Sequence, residues 1–364
     1  MKVVILAPEN DNHTAPLKWA LEQADYEVAC WAGLGWSAER QTSISFSDEA
    51  ELTLGSHTVA PGDVVWVRRP EQPRPNPKVA AADKKFAEGE YRWFGHSILY
   101  LLDDLPIRCI NKYSASRVIN NKSVQLLLAK RCGMNVPHTL MSNSPSKVRD
   151  YFQRNPDRLI CKAFFPHIWQ KETSKSVAVT ETFEIDKGRL PSDAVLTYAP
   201  AIYQEMVVKQ FDVRMVLLGA AVYSCALYNP KGAIDWRQDT NQGLVQVEKI
   251  ETPAAVEKAV LAFAEKSGIS YGSFDFAIDS EGRWWFLEVN EGGQFLWLDA
   301  FNNNVHMQEK FLAFLTSPEG SPRQIIEDRQ SLFPSWKDYL DSPAKEQQTP
   351  EEGEEDPAFV SMEQ

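Results

Sequence analysis

Asp275, Glu288 and Asn290 stand close together in the stretch Ser273 to Asp299, SFDFAIDSEGRWWFLEVNEGGQFLWLD. Phe274, Phe276 and Ile278 precede the turn signal Asp279-Ser280-Glu281-Gly282, and Trp284, Trp285, Phe286, Leu287 and Val289 follow it. The stretch therefore reads as a β-hairpin running into a glycine-rich loop. A turn closing symmetrically about Ser280 and Glu281 sets Asp275 opposite Phe286, and strand alternation puts Phe286, Glu288 and Asn290 on one face. Asp275, Glu288 and Asn290 then converge. Three hard oxygen donors, two of them carboxylates, suit Mg²⁺, which favours octahedral oxygen coordination and completes its shell with water and phosphate. A nucleotide phosphate is the natural further ligand. For such a trio taken alone, the alternative is a solvated sheet face.

Other positions stand out by residue type. Arg158-Leu159-Ile160-Cys161-Lys162-Ala163-Phe164 places a lysine inside an apolar, strand-forming run, where its ammonium costs desolvation energy unless an anion meets it. Arg237, in Ala233-Ile234-Asp235-Trp236-Arg237, is a planar, permanently charged fork suited to a carboxylate or a phosphoryl group. Asp212 and Arg214 alternate along an apolar strand and, as a bare string, could equally form a surface ion pair. His13 lies in a loop and could contact a substrate, the plainer reading being polar surface.

The elements that must position these groups follow from periodicity. Lys2 to Ala7 reads as a strand, Thr14 with Ala15-Pro16 caps a helix with Leu17, Ala20, Leu21 and Ala24 on one face, and Glu27 to Trp31 is the next strand. This β-α-β opening lacks the G-x-G-x-x-G of dinucleotide sites. Short strands at Ser43 to Ser47, Glu51 to Leu54 and Val64 to Val67 complete a small α/β unit. After the proline-rich Arg69 to Lys78, a helix between Val79 and Leu102 repeats Phe86, Phe94, Ile98, Leu101 and Leu102 as core positions. A helix opening at Asn121-Lys122 ends at Gly133. Pro166 to Ser176 has the polar, lysine-bearing composition of a lid, and Val177 to Phe183 returns to strand. Ala201 to Val207 is a strand, and Arg214 to Leu218 and Ala221 to Leu227, split by Gly219, are expected at the centre of a sheet. A helix from Thr252-Pro253 to Ser267 stops at Gly268, and Asn303 to Leu315 is a closing helix. Beyond Ser317 the chain is polar, with the acidic run Glu351 to Asp356, and is expected to be disordered apart from a turn around Leu332 to Leu340.

Composition sets the class. The chain has 364 residues, 43% hydrophobic and 24% charged, enough for two or three packed units. A net charge of -12 argues against non-specific binding to nucleic acid or to an anionic membrane. The cysteines Cys30, Cys109, Cys132, Cys161 and Cys225 are scattered without C-x-x-C spacing, which fits a reducing cytoplasm. The apolar run at the N-terminus is too short for a signal peptide, and Met215 to Asn229 falls below the roughly 18 residues of a membrane span.

Phe274-Asp275-Phe276 with Phe286-Leu287-Glu288-Val289-Asn290 resembles the metal-binding end of the ATP-grasp fold, whose enzymes join a carboxylate to a nucleophile through an acyl phosphate. The continuation Glu291-Gly292-Gly293-Gln294-Phe295-Leu296-Trp297-Leu298-Asp299, together with Asp11-Asn12-His13 and Trp66-Val67-Arg68-Arg69-Pro70, resembles the microviridin-type (graspetide) peptide ligases more narrowly. Glu291, Phe295 and Asp299 depart from that family's pattern, standing where Pro, Trp and Glu are usual. Asn121-Lys122, an apolar helix, Gly133 and Val136-Pro137-His138-Thr139 resemble the opening of the nucleotide domain, and Lys209-Gln210-Phe211-Asp212-Val213-Arg214 resembles the family's K-x-x-D-[IV]-R.

The resemblance implies an α/β (α+β) ATP-grasp fold in parts: an N-terminal α/β domain at 1–108, a central lid-bearing subdomain at 109–200, a C-terminal subdomain with the metal site at 201–316, and the acidic tail at 317–364. ATP would lie between the second and third. It further implies ATP and Mg²⁺ as cofactors, with Asp275, Glu288 and Asn290 on the metal and Lys122 and Lys162 at the phosphates. Gln204, Glu205, Met206 and Val207 would meet the adenine edge through their backbone, Asp212 the ribose, and Arg214 and Arg237 the charge on the transferring group. The function implied is an ATP-dependent carboxylate ligase forming side-chain ester or amide crosslinks in a ribosomally made precursor peptide. A small-molecule carboxylate–amine ligase of the same fold, a non-catalytic ATP-binding module and a plain scaffold are the alternatives. Sequence does not fix the acceptor or the oligomeric state, and a homodimer is compatible with it.

Overall fold

The computed structural model describes residues 1–155, 158–164, 168–170, 177–179, 182–185, 190–230, 232, 234 and 243–346. The apolar N-terminal runs form a parallel sheet in the order Glu27–Cys30, Lys2–Ile5, Val64–Trp66, Arg108–Ile110. Strands covered on both faces read as continuous apolar runs, and both faces here are covered. Val4, Leu6 and Val65 share a core with Ile98 and Leu102 of the helix Lys84–Leu102, whereas Val3, Ile5 and Trp66 share one with Leu17 and with Phe311 of the helix Met307–Thr316. Phe86 does not join this core, contrary to the periodicity: it is 70% exposed. Phe86, Trp93 and Tyr100 recur every seven residues and lie on the outward side, while Phe94, Ile98, Leu101 and Leu102 lie on the sheet side.

A four-stranded antiparallel sheet follows, ordered Phe183–Ile185, Leu159–Lys162, Ala201–Glu205, Thr139–Ser142, and the strands Ile168–Gln170 and Val177–Val179 pair as a hairpin. The rest of the expected lid lies outside the described residues. The largest sheet is antiparallel, in the order Gln246–Ile250, Ala221–Tyr228, Lys209–Leu218, Tyr271–Asp279, Trp284–Asn290. One of its faces buries Val213, Met215, Phe274, Phe276 and Phe286 against Val260 and Phe263 of the helix Ala254–Ser267. Pro253 precedes that helix, and Gly268 ends it at φ 76°, a conformation that suits glycine. Among the described residues no helix is long and apolar enough to cross a membrane.

Residues 317–346 correct the expectation of disorder. Helices Arg323–Gln330, Trp336–Leu340 and Pro343–Glu346 form there, and Ile326, Phe333 and Tyr339 are buried. Phe333 stacks 5.9 Å from Tyr26 and Tyr339 lies 5.5 Å from Trp19, so the segment covers the N-terminal helix. Three apolar side chains scattered over short helices give no readable period, which is why composition alone misleads. Ending the chain at Ser317 should remove roughly 5 kcal/mol or more of burial. At about 2 °C per kcal/mol this predicts a fall in melting temperature of about 10 °C. An unchanged thermal melt would show that the docked segment contributes no stability.

Candidate active site

The hairpin forms, but in a different register from the symmetric one. Ile278 pairs with Trp284 and Phe276 with Phe286, after which a bulge lets Asp275 face Glu288 and Ser273 face Asn290. Leu287 is the extra residue. Without it, Phe286 would share a face with Glu288; with it, Phe286 turns into the core beside Phe274 and Val289, and Asp275, Glu288 and Asn290 share the opposite face. The expected convergence therefore stands through a bulge that re-aims the strand, while the expected Asp275–Phe286 pairing and the placement of Phe286 do not.

Cations meet both carboxylates. Arg214 is the register partner of Asp275 and its Nη1 lies 3.1 Å from Asp275 Oδ1. Its guanidinium also sits 5.8 Å from the ring centre of Trp297. Lys122 Nζ lies 2.9 Å from Glu288 Oε2. Lys122 is the first residue of the helix Lys122–Arg131, which Asn121 caps by accepting from the N–H groups of Ser123 and Val124. Gln125, one turn on, donates from Nε2 to the Val289 carbonyl at 2.8 Å and accepts from the Val289 N–H at 3.0 Å. This buried amide imitates a neighbouring strand along the sheet edge and fixes the distance from Lys122 to Glu288. Nothing in a one-dimensional helix pattern distinguishes Gln125 from a surface residue.

The glycine-rich loop is held by groups distant in sequence. A Cβ on Gly293 would lie 2.6 Å from Ser273 Cβ, so only glycine fits there. Asn111 Nδ2 donates to Tyr271 O and Glu291 O, while its Oδ1 accepts from Tyr271 N–H. Arg68 Nη1 donates to Gly292 O at 2.5 Å. His13 is buried, not surface, and its Nε2 accepts from the N–H groups of Phe295 and Leu296 at 3.0 and 3.3 Å. Burial, and then Arg68, hold the imidazole well below its usual pKa, so it stays neutral and keeps its acceptor. Burial works to raise the neighbouring Asp11 carboxyl, but Arg68, His13 and the backbone N–H groups of His13 and Thr14 outweigh it and bring it to about 2. Asp299 faces away from this chemistry: it accepts from Met307 N–H and Gln308 N–H, both at 2.8 Å, and so caps the helix Met307–Thr316.

A cleft between the two antiparallel sheets brings together Lys162, Gln204, Glu205, Met206, Val207, Asp212, Asp275 and Glu288. Lys122 and Arg214 join it through the carboxylates they contact. Asn290 follows on the same face as Glu288, and its Oδ1 accepts from Gly292 N–H at 3.1 Å. Lys162 is half-buried at the end of its strand rather than enclosed within it, so desolvation bears on it less than the apolar run implied. Asp212 is buried and its Oδ2 lies 2.6 Å from Lys209 Nζ. At the strand end, the N–H groups of Glu205 and Met206 donate to His138 O and Arg158 O, both at 2.9 Å. Gln204 Nε2 donates to Thr139 Oγ1, and its buried Oε1 has no partner among the described residues. Arg237 lies outside the described residues.

These groups fit a magnesium nucleotide. The orphaned Gln204 Oε1 would accept from an N–H of a purine base, and a buried acceptor left unmade costs about 1–3 kcal/mol. Two carboxylates and an amide match Mg²⁺, which takes one or two protein carboxylates and completes its shell with water and phosphate.

No family model and no curated protein matches the chain. Solved structures do. A Chryseobacterium gregarium RiPP-associated ATP-grasp ligase, in complex with ADP and a leader and core peptide, is similar with a TM-score of 0.75 at 20% identity, over 88% of this chain and 99% of that one. The macrocyclase MdnC from Microcystis aeruginosa MRC, bound with precursor peptide MdnA, gives 0.69 at 20% identity over 87% and 99%. The ATP-grasp ligase PsnB, complexed with a phosphomimetic variant of a minimal precursor, Mg and ADP, gives 0.67 at 19% identity over 86% and 97%. The chain has the ATP-grasp fold.

Proposed function

We propose that this chain is an ATP-dependent carboxylate ligase that forms ester or amide crosslinks between side chains of a ribosomally made precursor peptide. The carrying observation is the convergence, in one cleft between two sheets, of the Asp275–Glu288–Asn290 face with Lys162, Gln204 and Asp212. The fold shared with ligases solved with leader, core or precursor peptides supports the peptide substrate.

Asp275, Glu288 and Asn290 would hold Mg²⁺, and ATP would supply the phosphoryl group that turns a substrate carboxylate into an acyl phosphate. The chain's own residues bind and orient. Gln204 Oε1 reads the base edge, and Lys162 offsets phosphate charge from the central sheet. Lys122 and Arg214 contact the carboxylates that would hold a divalent cation, and with the cation bound their charge would be available to phosphate oxygens. Arg214, together with Arg237, is assigned to the charge on the transferring group. A hydroxyl or amine of the peptide then displaces phosphate from the acyl carbon, and no side-chain nucleophile of the chain is needed.

The test is mass. A short peptide rich in Thr/Ser and Asp/Glu, encoded beside this gene, should lose one water per bond formed when incubated with the protein, ATP and Mg²⁺. The loss should stop when its Asp and Glu are changed to amides. Condensation of free amino acids or dipeptides, with no change to the peptide, would replace this reading with a small-molecule ligase and leave the nucleotide residues in place.

A further inference from the structure

A second cavity lies between the outer strands Ala221–Tyr228 and Gln246–Ile250 and the helices Met307–Thr316 and Arg323–Gln330, and none of the nucleotide-site residues lines it. Tyr223, Lys249, Lys310 and Arg323 border it. Tyr223 is 6% exposed, and its hydroxyl is buried with no partner among the described residues. Lys310 is 2% exposed, its Nζ donates to Val305 O, and no carboxylate among the described residues forms an ion pair with it. Both cations attend one ring: Lys310 Nζ lies 5.3 Å and Arg323 Cζ 5.2 Å from the centre of Tyr223. Arg323 is anchored by Val222 O at 2.5 Å and Glu257 Oε1 at 3.2 Å.

The acids around this cluster do not answer it. Asp299 and Glu309 act on Lys310 from beyond ion-pair distance: Asp299 is committed to the helix N–H groups, and Glu309 Oε1 to His306 Nδ1 at 2.9 Å, while its buried Oε2 has no partner among the described residues. Glu251 and Glu327 also border the cavity, but Glu251 is exposed and Glu327 half-buried, so water screens them more than it screens Lys310. Burial, then the charge of Lys249, depresses the Lys310 ammonium, the expected response of a buried cation lacking an anion. A buried cation and a buried hydroxyl donor, both facing one cavity, are stabilised together by an acceptor of negative charge.

We propose that this cavity is a binding site for a small oxyanion, a phosphate or a carboxylate, held by Lys310 Nζ, the Tyr223 hydroxyl, Arg323 and Lys249. It adjoins the active site. Cys225 lines it and is the register partner of Arg214, so the row Lys249, Cys225, Arg214, Asp275, Glu288 crosses all five strands.

Calorimetric titration of the full chain with inorganic phosphate, and separately with acetate, at constant ionic strength tests the site. Tyr223→Phe removes an unpartnered hydroxyl and Lys249→Gln an exposed ammonium, so both variants should melt as the wild type does. At least one anion should bind the wild type, and each substitution should weaken it by about tenfold or more. The anion that binds tells a tetrahedral from a planar ligand. No binding of either anion, or binding that both variants retain, as an ion lodged in the nucleotide cleft would show, overturns the proposal.

Discussion

Glu288→Gln is expected to leave a folded protein that no longer consumes ATP, with turnover down by about a thousandfold or more. The carboxylate is one of two on the face proposed to hold Mg²⁺, and a metal's stabilisation of transferring phosphoryl charge amounts to several kcal/mol, each 1.4 kcal/mol being about tenfold in rate. The fold should tolerate the change. Glu288 keeps a cross-strand place opposite Asp275, and glutamine preserves its size and a polar oxygen for Lys122. Nucleotide should still bind, since Gln204, Lys162 and Asp212 are untouched. A coupled ADP-release assay across Mg²⁺ concentrations, run beside a thermal melt, separates the two effects. Turnover at the wild-type rate would remove Glu288 from the metal site.

The sequence made the components of the site legible because each rests on local chemistry. Alternation along Tyr271–Asp279 and Trp284–Asn290, and a turn that gathers Asp279 and Gly282, are properties of neighbouring residues. The bulge at Leu287 is not local: what favours it is the burial of Phe286 beside Phe276 and Phe263, and the helix Ala254–Ser267 that supplies Phe263 is a separate element. The roles of His13 and Asn111 were illegible for the same reason, since His13 meets Phe295 and Leu296, and Asn111 meets Tyr271 and Glu291, at separations of 160 residues or more. Both look like loop polar residues until the loop they hold is folded against them. Arg108 is a third case. It donates to the carbonyls of Phe314, Leu315 and Ser317 and so ties the last turn of the closing helix to the N-terminal sheet. The glycine-rich loop is thus positioned by His13, Arg68 and Asn111, none of which lines the cleft.

Arg214→Lys should lower kcat by about a hundred- to a thousandfold, the usual loss when one preorganised donor to transition-state charge is removed. Lysine keeps the positive charge beside Asp275, so the half-buried carboxylate is not left alone; removing the charge outright, as in Arg214→Met, would cost up to about 3 kcal/mol and blur the result. What lysine cannot keep is shape. The guanidinium places Nη1 within 3.1 Å of Asp275 Oδ1 while its plane lies over Trp297 at 5.8 Å, a pair of contacts that a point charge on a flexible stem does not reproduce. If Arg214 acts on charge that develops during transfer, the loss falls in kcat and the KM for ATP moves by less than about fivefold. If it only braces Asp275, the fall in kcat is small and stability bears the change. Steady-state kinetics with urea unfolding on the same preparation decides between them, and a kcat within about threefold of wild type would strike Arg214 from the catalytic set.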